Sequence, residues 1–203
     1  VLMDKVLIIF VKYPQAGRVK TRLAKSIGKD KAACLYKEFV QDTISQTRSS
    51  RYRQVIFYTP KNKRQEISQW LGNDLSYYSQ EGKDLGQRMY KAFDLILKVA
   101  SSQAVIIGSD SPLINKRNIA RAFKVLERKD CVIGPAQDGG YYLLGLKKPN
   151  KDIFKNIDWS TDRVLNQTLK LLTNRKISYS LIEPGFDVDT AEDLARLDKP
   201  YRL

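Results

Sequence analysis

The segment DKVLIIFVKYPQAGRVKTRL, residues 4–23, decides the expected fold of this chain. It contains an uninterrupted apolar run at residues 6–11 that is rich in β-branched side chains. A run of this length without alternation predicts a strand buried on both faces of a parallel sheet. The loop at residues 12–19 follows the run and contains Pro14 and Gly17, which break regular structure. The segment therefore predicts a central strand that leads into a basic loop.

The rest of the chain alternates between strand-like and helix-like patterns. Strands are predicted at residues 55–59, 75–79, 104–107, 131–135, 141–146 and 177–182. Helices are predicted at residues 29–48, 64–71, 85–100, 118–126, 164–172 and 190–197, and Thr190 and Asp193 resemble a capping box. This alternation predicts an α/β fold with a Rossmann-like, mostly parallel sheet flanked by helices, in a single domain over residues 1–203. The two strands around Gly139 and Gly140 are close enough to pair antiparallel.

The composition excludes several kinds of catalytic site. The chain has 203 residues and no histidine, so a Ser-His-Asp triad, a Cys-His dyad and a histidine-ligated zinc or haem are all excluded. Its two cysteines, Cys34 and Cys131, are too few for a disulfide framework or a four-thiolate site, and isolated cysteines are usually buried. A bound metal would need carboxylate ligands, which favours Mg or Mn.

The charge of the chain indicates an anionic partner. The 36 Lys and Arg side chains against 22 Asp and Glu give 36 − 22 = +14. Nucleic acid, an anionic membrane and phosphorylated small molecules are the candidate partners, and solubility alone is the alternative explanation. No apolar run approaches the roughly 18 residues of a membrane span, and the first run is too short for a signal segment, so a cytoplasmic location is expected.

Four cations lie within the eleven residues that follow the first predicted strand, a segment called the basic loop here: Lys12, Arg18, Lys20 and Arg22. Cationic side chains and flexible backbone amides just before a helix favour an anion. The loop lacks the Walker pattern and the Gly-x-Gly-x-x-Gly pattern, so it matches neither common phosphate-binding motif. Its charge and placement still favour phosphate binding over a merely solvated basic loop.

Acidic residues follow two of the predicted strands. Asp110 comes after the strand at residues 104–107, and Asp187 and Asp189 come after the last strand. Ligands of such folds bind beyond the carboxyl ends of the strands, so these carboxylates could hold a metal that bridges to a diphosphate. The alternative is that Asp110 caps a turn and that Asp189 serves the start of the last helix.

Two further segments combine charge with turn chemistry. Asp84 precedes a predicted helix and could cap it, while Arg88 lies one turn further along and could reach across a crevice. Asp138 sits in the tight turn before Tyr141, where the glycines alone suit a hairpin. With no histidine available, a base that deprotonates an acceptor hydroxyl must be a carboxylate, and Asp138 is preferred over Asp189 for this role.

Six segments of the chain occur together in one order: FVKYP, G and KTRL within residues 10–23, DLGQRM at 84–89, GSDSP at 108–112, GPAQDGGYYLLG at 134–145, WST at 159–161, and DVDTAEDL at 187–194. In this combination the chain resembles the bacterial glycosyltransferase-like family named for arsenosugar biosynthesis, within the nucleotide-diphospho-sugar transferase (GT-A) superfamily. The resemblance covers about residues 5–198 and implies the GT-A fold.

The resemblance also implies roles for individual residues at a nucleotide-sugar site with a divalent metal. The residues that match the metal-binding acids are Asp110 and Asp187. The residues that would contact the nucleotide are Lys12, Arg18, Lys20 and Arg22 on the phosphates, and Asp84, Gly86 and Arg88 in a second loop. The residues that would face the sugar or acceptor are Asp138, Gly139, Gly140 and Tyr141.

The chain departs from its relatives at two points. Gly108 stands where an Asp-x-Asp motif would have its first acid, so Asp110 alone remains of that pair. The ending at residues 187–194 is shared with relatives that transfer nucleotidyl groups, such as phospho-lactate and molybdenum-cofactor guanylyltransferases. Their Gly-Gly-x-x-x-Arg-Met-Gly run is absent from the first loop here, which argues against that chemistry.

Three functions are therefore compared. The first is a metal-dependent glycosyltransferase that moves a sugar from a nucleotide-diphosphate sugar to an acceptor. The second is a nucleotidylyltransferase that releases pyrophosphate. The third, a nucleic-acid-binding protein, is disfavoured because no such motif is present and the aromatic residues lie mostly within apolar runs. No specific nucleic acid is expected as a partner, and a homo-oligomer is compatible with the sequence.

Overall fold

The structure, a computed structural model, describes residues 4–98, 102–109, 111–185, 188–197 and 201. In these ranges the strands are β1 Asp4–Lys12, β2 Arg53–Thr59, β3 Ser76–Ser79, β4 Ser102–Gly108, β5 Cys131–Pro135, β6 Tyr141–Leu146 and β7 Tyr179–Leu181. They form one sheet in the order β3-β2-β1-β4-β6-β5-β7. β6 runs antiparallel to β4 and β5, and the other neighbours pair parallel. The predicted mixed, mostly parallel α/β sheet is confirmed, as is the antiparallel pair around Gly139 and Gly140.

Helices cover both faces of the sheet. They are α1 Ala24–Ile27, α2 Lys29–Gln46, α3 Arg64–Leu71, α4 Leu85–Leu97, α5 Lys116–Leu126, α6 Val164–Asn174 and α7 Ala191–Ala195. α2, α3 and α5 bury apolar side chains against one face, and α4 and α6 against the other. α7 packs near α2 in a small separate cluster that includes Phe39 and Val188. None of these helices, over the described ranges, has the length and hydropathy needed to cross a membrane.

β1 is a central strand, as its apolar run predicts. It pairs parallel with β2 on one side and with β4 on the other. Its side chains alternate between the two core layers, with Leu7 and Ile9 on the α2 face and Val6 and Ile8 on the α4 face. All four are completely buried. The run lacks alternation because both faces of the strand are covered by helices.

Several helix and strand boundaries differ from the predicted ones by a few residues. α5 begins at Lys116 rather than at 118, because Asn115 and Asn118 form a reciprocal capping box one turn earlier. The capping box of Thr190 and Asp193 at α7 is confirmed. α2 ends at Gln46 and β7 covers 179–181. α4 ends at Leu97, and residues 99–100 of the predicted helix lie outside the described part of the chain.

The two cysteines have different surroundings. Cys131 is buried at the start of β5, and this burial raises the pKa of its thiol to about 12. Cys34 is exposed on α2, so the expectation that both cysteines are buried is wrong for Cys34. The helical pattern of residues 29–48 is the reason, because position 34 falls on the outer face of α2 between the buried Ala33 and Leu35.

Candidate active site

The carboxyl ends of the parallel strands lie on one edge of the sheet. The loops after β1, β2, β3, β4, β5 and β7 all leave from this edge because these six strands run in the same direction. A cavity of about 350 Å³ opens there. Its walls include Phe10, Lys12, Gln80, Arg88 and Tyr141. The volume falls within the range of small-molecule sites in proteins, at the edge where open α/β sheets bind ligands.

The basic loop after β1 presents three of its four cations to solvent. Lys12, Arg18 and Arg22 are exposed, whereas Lys20 is buried. Lys12 also lines the cavity. The loop reverses direction through Gly17, whose φ of +75° is in the left-handed region that glycine adopts without strain. The loop therefore places one cation, Lys12, in the cavity wall and two more, Arg18 and Arg22, on the surface of the same edge of the sheet.

Lys20 ties the basic loop to the segment before α7. Its side chain is 2% exposed, and its ammonium nitrogen lies 3.2 Å from Asp189 Oδ1 and 5.9 Å from the ring centroid of Phe39. Arg22 approaches the other carboxylate oxygen of Asp189 at 3.7 Å. Two cations thus engage both oxygens of Asp189, so this carboxylate orients the loop and is a poor candidate for a general base. Lys20 has a backbone φ of +46°, which is uncommon for a lysine.

The capping box of α7 fixes the backbone at Asp189. Asp193 Oδ2 accepts hydrogen bonds from the amides of Asp189 at 3.1 Å and Thr190 at 2.9 Å. Burial acts to raise the pKa of Asp193, but these amides and the Thr190 hydroxyl outweigh it, so the pKa lies below its usual value. The cap thereby holds Asp189 in the position where it meets Lys20.

The three residues predicted in the second nucleotide loop have separate surroundings. Asp84 is the N-cap of α4 and accepts from Gln87 N at 2.7 Å and from Gln87 Nε2 at 3.1 Å. Gly86 is buried under Trp159, and a Cβ at this position would overlap the indole ring. Arg88 lies in the cavity wall, with its Nε donating to Gly82 O at 3.3 Å. Arg88 is the member of this set that lines the cavity.

Replacing Asp84 with alanine tests its capping role. We expect Asp84→Ala to lower the free energy of unfolding by about 1 kcal/mol, because the Gln87 amide loses its side-chain acceptor. Asp84→Ser should restore most of that loss, since serine also caps helices. Urea denaturation measures both variants. If Asp84→Ala leaves stability unchanged, the cap is unimportant. If Asp84→Ser regains stability but still loses nucleotide affinity, the carboxylate contacts the nucleotide.

The turn between β5 and β6 carries the remaining predicted site residues. Asp138 is exposed, and its Oδ1 accepts from Gly140 N at 3.0 Å. Gly139 has a φ of +84° and packs against the backbone of Asp162. The turn follows β5 and lies on the same edge as the basic loop. Asp138 therefore keeps its second carboxylate oxygen available at this edge.

Tyr141 lines the cavity, but its hydroxyl is buried. The hydroxyl is shielded from solvent and makes no hydrogen bond of good geometry within the described ranges. Burial raises the pKa of Tyr141 well above its usual range, while the nearby Thr168 acts to lower it. A ligand in the cavity would therefore meet other atoms of Tyr141, because the hydroxyl has no exposed surface.

Two residues of the site, Tyr36 and Gln80, were not singled out by the sequence. Tyr36 accepts from Lys12 N at 2.9 Å and lies 2.9 Å from Ser109 Oγ, so it joins the ends of β1 and β4. Gln80 donates its amide to Phe57 O at 2.8 Å. Tyr36 has the spacing of the apolar face of α2, and the role of its hydroxyl becomes visible only when the strand ends are in place. For Gln80, its position directly after a strand was the available signal.

The predicted metal ligands lie outside the described residues. Asp110 and Asp187 fall in the gaps of the structure, so their separation is not part of it. Among the residues that are described, no group of three acidic or cysteine side chains could hold an ion. Asp189 does not fill this role, because Lys20 and Arg22 engage its oxygens. The described donors do not form a metal site by themselves, and the metal stays a prediction.

The mixed sheet, with the cavity and the basic loop at one edge, has the nucleotide-diphospho-sugar transferase fold. Residues 43–161 match the family described as "Uncharacterized protein conserved in bacteria (DUF2064)". The match covers more than half of the chain, and the chain belongs to this family.

Solved structures show the same fold. A crystal structure from Desulfovibrio desulfuricans G20, described as a candidate nucleotide-diphospho-sugar transferase, is 35% identical with a TM-score of 0.90. The alignment covers 95% of this chain and 85% of that chain. The 4-diphosphocytidyl-2C-methyl-D-erythritol synthase of Anaerococcus prevotii DSM 20548 is 12% identical with a TM-score of 0.58, and the alignment covers 96% of each chain. At that identity the likeness concerns the fold alone.

The curated relatives are named for a different reaction, the transfer of a guanylyl group. A 2-phospho-L-lactate guanylyltransferase from Methanocaldococcus sp. (strain FS406-22) is 29% identical over 135 residues, which is 66% of this chain and 58% of that protein. The one from Methanocaldococcus vulcanius is 22% identical over 196 residues, covering 94% of this chain and 84% of that protein. The chain thus spans little more than half the length of the first of these relatives.

Proposed function

We propose that the protein is a glycosyltransferase that moves a sugar from a nucleotide-diphosphate sugar to an acceptor hydroxyl. The observation that carries the proposal is the shared edge of the sheet. A cavity, three exposed cations and the Asp138 carboxylate all belong to that edge. The family relationship and the fold support a nucleotide-dependent transferase, and the choice of sugar transfer rests on the site.

The nucleotide-sugar donor binds to both the cavity and the basic loop. The nucleoside occupies the cavity, where Arg88 offers polar contacts. The diphosphate extends towards Lys12, Arg18 and Arg22, because guanidinium and ammonium groups bind phosphate oxygens through charge-assisted hydrogen bonds. Lys20 acts on this arrangement through Asp189 and the loop it anchors.

Sugar transfer breaks the anomeric C–O bond, and a nucleoside diphosphate leaves. The cations of the basic loop stabilise the charge that develops on the leaving diphosphate. The acceptor hydroxyl gives its proton to a base, which in a chain without histidine is a carboxylate. Asp138 suits this role, because Gly140 N holds one of its oxygens and the other stays available. A Mg or Mn ion on Asp110 and Asp187 would add charge neutralisation and is part of the proposal.

The variant Arg18→Ala tests the phosphate-binding role of the loop. We expect it to weaken nucleoside diphosphate binding by about tenfold, the scale of one lost charge-assisted hydrogen bond, and to leave nucleoside binding unchanged. Arg175→Ala is the matched control, since Arg175 is also exposed but follows α6, before the amino end of β7. Calorimetric titration measures both. Equal losses for diphosphate and nucleoside would show that the loop does not bind phosphates.

Nucleotidyl transfer is the second candidate, and the curated relatives favour it. Each of the three relatives is named as a 2-phospho-L-lactate guanylyltransferase. The same cations would then stabilise a triphosphate whose α-phosphorus is attacked, and pyrophosphate would leave. Nucleotidyl transfer does not require a general base at the site, because the attacking phosphate oxygen of a phosphorylated acceptor is already deprotonated. The position of Asp138 therefore favours sugar transfer, and the leaving group distinguishes the two reactions.

A further inference from the structure

A second and larger groove lies at the opposite edge of the sheet. It has a volume of about 930 Å³ and is lined by the start of β1, the residues before β2, the second half of α5 and β7. Lys5 and Arg51 contribute one side, and Lys124 and Arg128 contribute the other. These residues adjoin the amino ends of the parallel strands, so the groove is separate from the cavity proposed for the nucleotide.

The walls of this groove carry an excess of positive charge. Six lining residues are cationic, namely Lys5, Arg51, Arg121, Lys124, Arg128 and Lys129, against a single acid, Glu127. Lys5 pairs with Glu127 at 3.2 Å, and Arg121 pairs with Glu183. Within the described ranges, Arg51, Lys124, Arg128 and Lys129 have no acidic partner. Concentrating like charges in one concave surface is unfavourable unless an anion occupies it.

The dimensions of the groove suit an extended anion rather than a single phosphate. It runs from the residues before β2 to β7, which are five strand positions apart in the sheet. At about 4.8 Å for each position, this span is about 24 Å. A nucleic-acid strand carries one phosphate about every 3.4 Å along the helix axis, so several phosphates fit along the groove.

We propose that this groove binds the phosphate backbone of a nucleic acid without reading its sequence. The aromatic residues in the groove, Tyr52 and Phe123, are 8% and 2% exposed and pack against each other with ring centroids 5.4 Å apart. They offer no stacking surface for bases, so the contacts are made by arginine and lysine to phosphates. Binding through phosphates alone agrees with the absence of a sequence-reading motif. It also accounts for part of the excess positive charge of the chain, because six cations line this groove.

The shape of the groove favours a nucleic acid over an anionic membrane. A bilayer is flat on the scale of this protein, and surface helices that bind it insert exposed apolar side chains beside their cations. Phe123 of α5 is buried in the core, and the cations lie in a concave surface. A strand that enters the groove can contact both walls at once, which a membrane surface cannot do.

Reversal of three groove charges tests the proposal. The groove variant combines Arg51→Glu, Lys124→Glu and Arg128→Glu. The control variant combines Lys31→Glu, Lys37→Glu and Lys170→Glu, and it reverses the same number of charges at exposed positions on α2 and α6. Fluorescence anisotropy with labelled oligothymidylate and oligoadenylate, between about 50 and 200 mM NaCl, measures affinity and its salt dependence. Nucleotide binding at the other edge and circular dichroism report whether each variant is folded.

We expect the groove variant to lose at least about tenfold in affinity for both oligonucleotides, and its salt slope to fall by about 2, since each phosphate contact contributes about 0.7. The control variant should retain most of its affinity and slope. Equal losses in the two variants would overturn the proposal, because the charge would then act diffusely. Binding to phosphatidylglycerol vesicles that depends on the groove, with no oligonucleotide binding, would also overturn it and assign the groove to a membrane.

Discussion

Replacing Asp138 with asparagine is expected to slow sugar transfer by about 10²- to 10⁴-fold, the usual contribution of a general base. Asparagine keeps an oxygen that can accept from Gly140 N, so the turn and the nucleotide site should be unchanged. The loss should therefore fall on kcat and leave nucleotide affinity as it is. The release of nucleoside diphosphate from a nucleotide-sugar measures the rate.

Asp162→Asn is the matched control for this variant. Asp162 is also an exposed carboxylate, and its backbone lies against the same turn at Gly139. The control removes the same charge from the neighbourhood and should keep the rate within about twofold, as expected for a surface substitution. If both variants slow the reaction equally, the effect is one of local charge and Asp138 is not the base. If Asp138→Asn retains the full rate, the proposed base is wrong.

Gly139→Ala is expected to destabilise the fold by about 2–5 kcal/mol. The left-handed φ of +84° costs an alanine about 1–2 kcal/mol. In addition, the new Cβ would overlap the Asp162 carbonyl oxygen and lie 2.6 Å from Asp162 Cα, and overpacking of this kind costs about 1–3 kcal/mol. The turn cannot shift freely, because Leu165 N donates to Gly139 O at 2.9 Å. Urea denaturation measures the change in the free energy of unfolding.

Gly17→Ala separates the two contributions. Gly17 has a similar φ of +75°, but the nearest atoms to a Cβ there belong to the flexible Lys29 side chain, at 3.4 Å or more. This variant should lose only about 1 kcal/mol, because alanine also reduces the entropy of the unfolded chain. The difference between the two variants then measures the collision with Asp162. Equal losses at the two glycines would mean that the turn does not pack tightly against residue 162.

Local patterns in the sequence were sufficient for most of the fold. The apolar run at residues 6–11 identified a central strand, because a strand covered on both faces has no polar face to show. The pair Thr190 and Asp193 identified the start of α7, because a capping box is decided within one turn. α1 was not predicted, since four residues are too few to show a helical period.

The candidate site was predictable in its location and less so in its contacts. The strand-end rule placed the basic loop, Asp138 and Arg88 at one edge of the sheet. The burial of Lys20 was not predictable, because it depends on Asp189, which is 169 residues away in the chain. The groove at the other edge was hidden for the same reason, since Arg51 and Lys124 meet only in the folded sheet. The choice between two transfer reactions depends on the substrate, which the sequence does not encode in a local motif.

The identity of the phosphorus-containing product distinguishes sugar transfer from nucleotidyl transfer. Phosphorus NMR follows the protein with Mn and a nucleotide-diphosphate sugar, and in parallel with GTP or CTP and a phosphorylated acceptor. Sugar transfer predicts slow accumulation of nucleoside diphosphate in the first sample, even with water as the acceptor, and its loss in Asp138→Asn. It predicts no pyrophosphate in the second. Pyrophosphate from the triphosphate, with no nucleoside diphosphate from the nucleotide-sugar, would contradict sugar transfer and assign the site to nucleotidyl transfer.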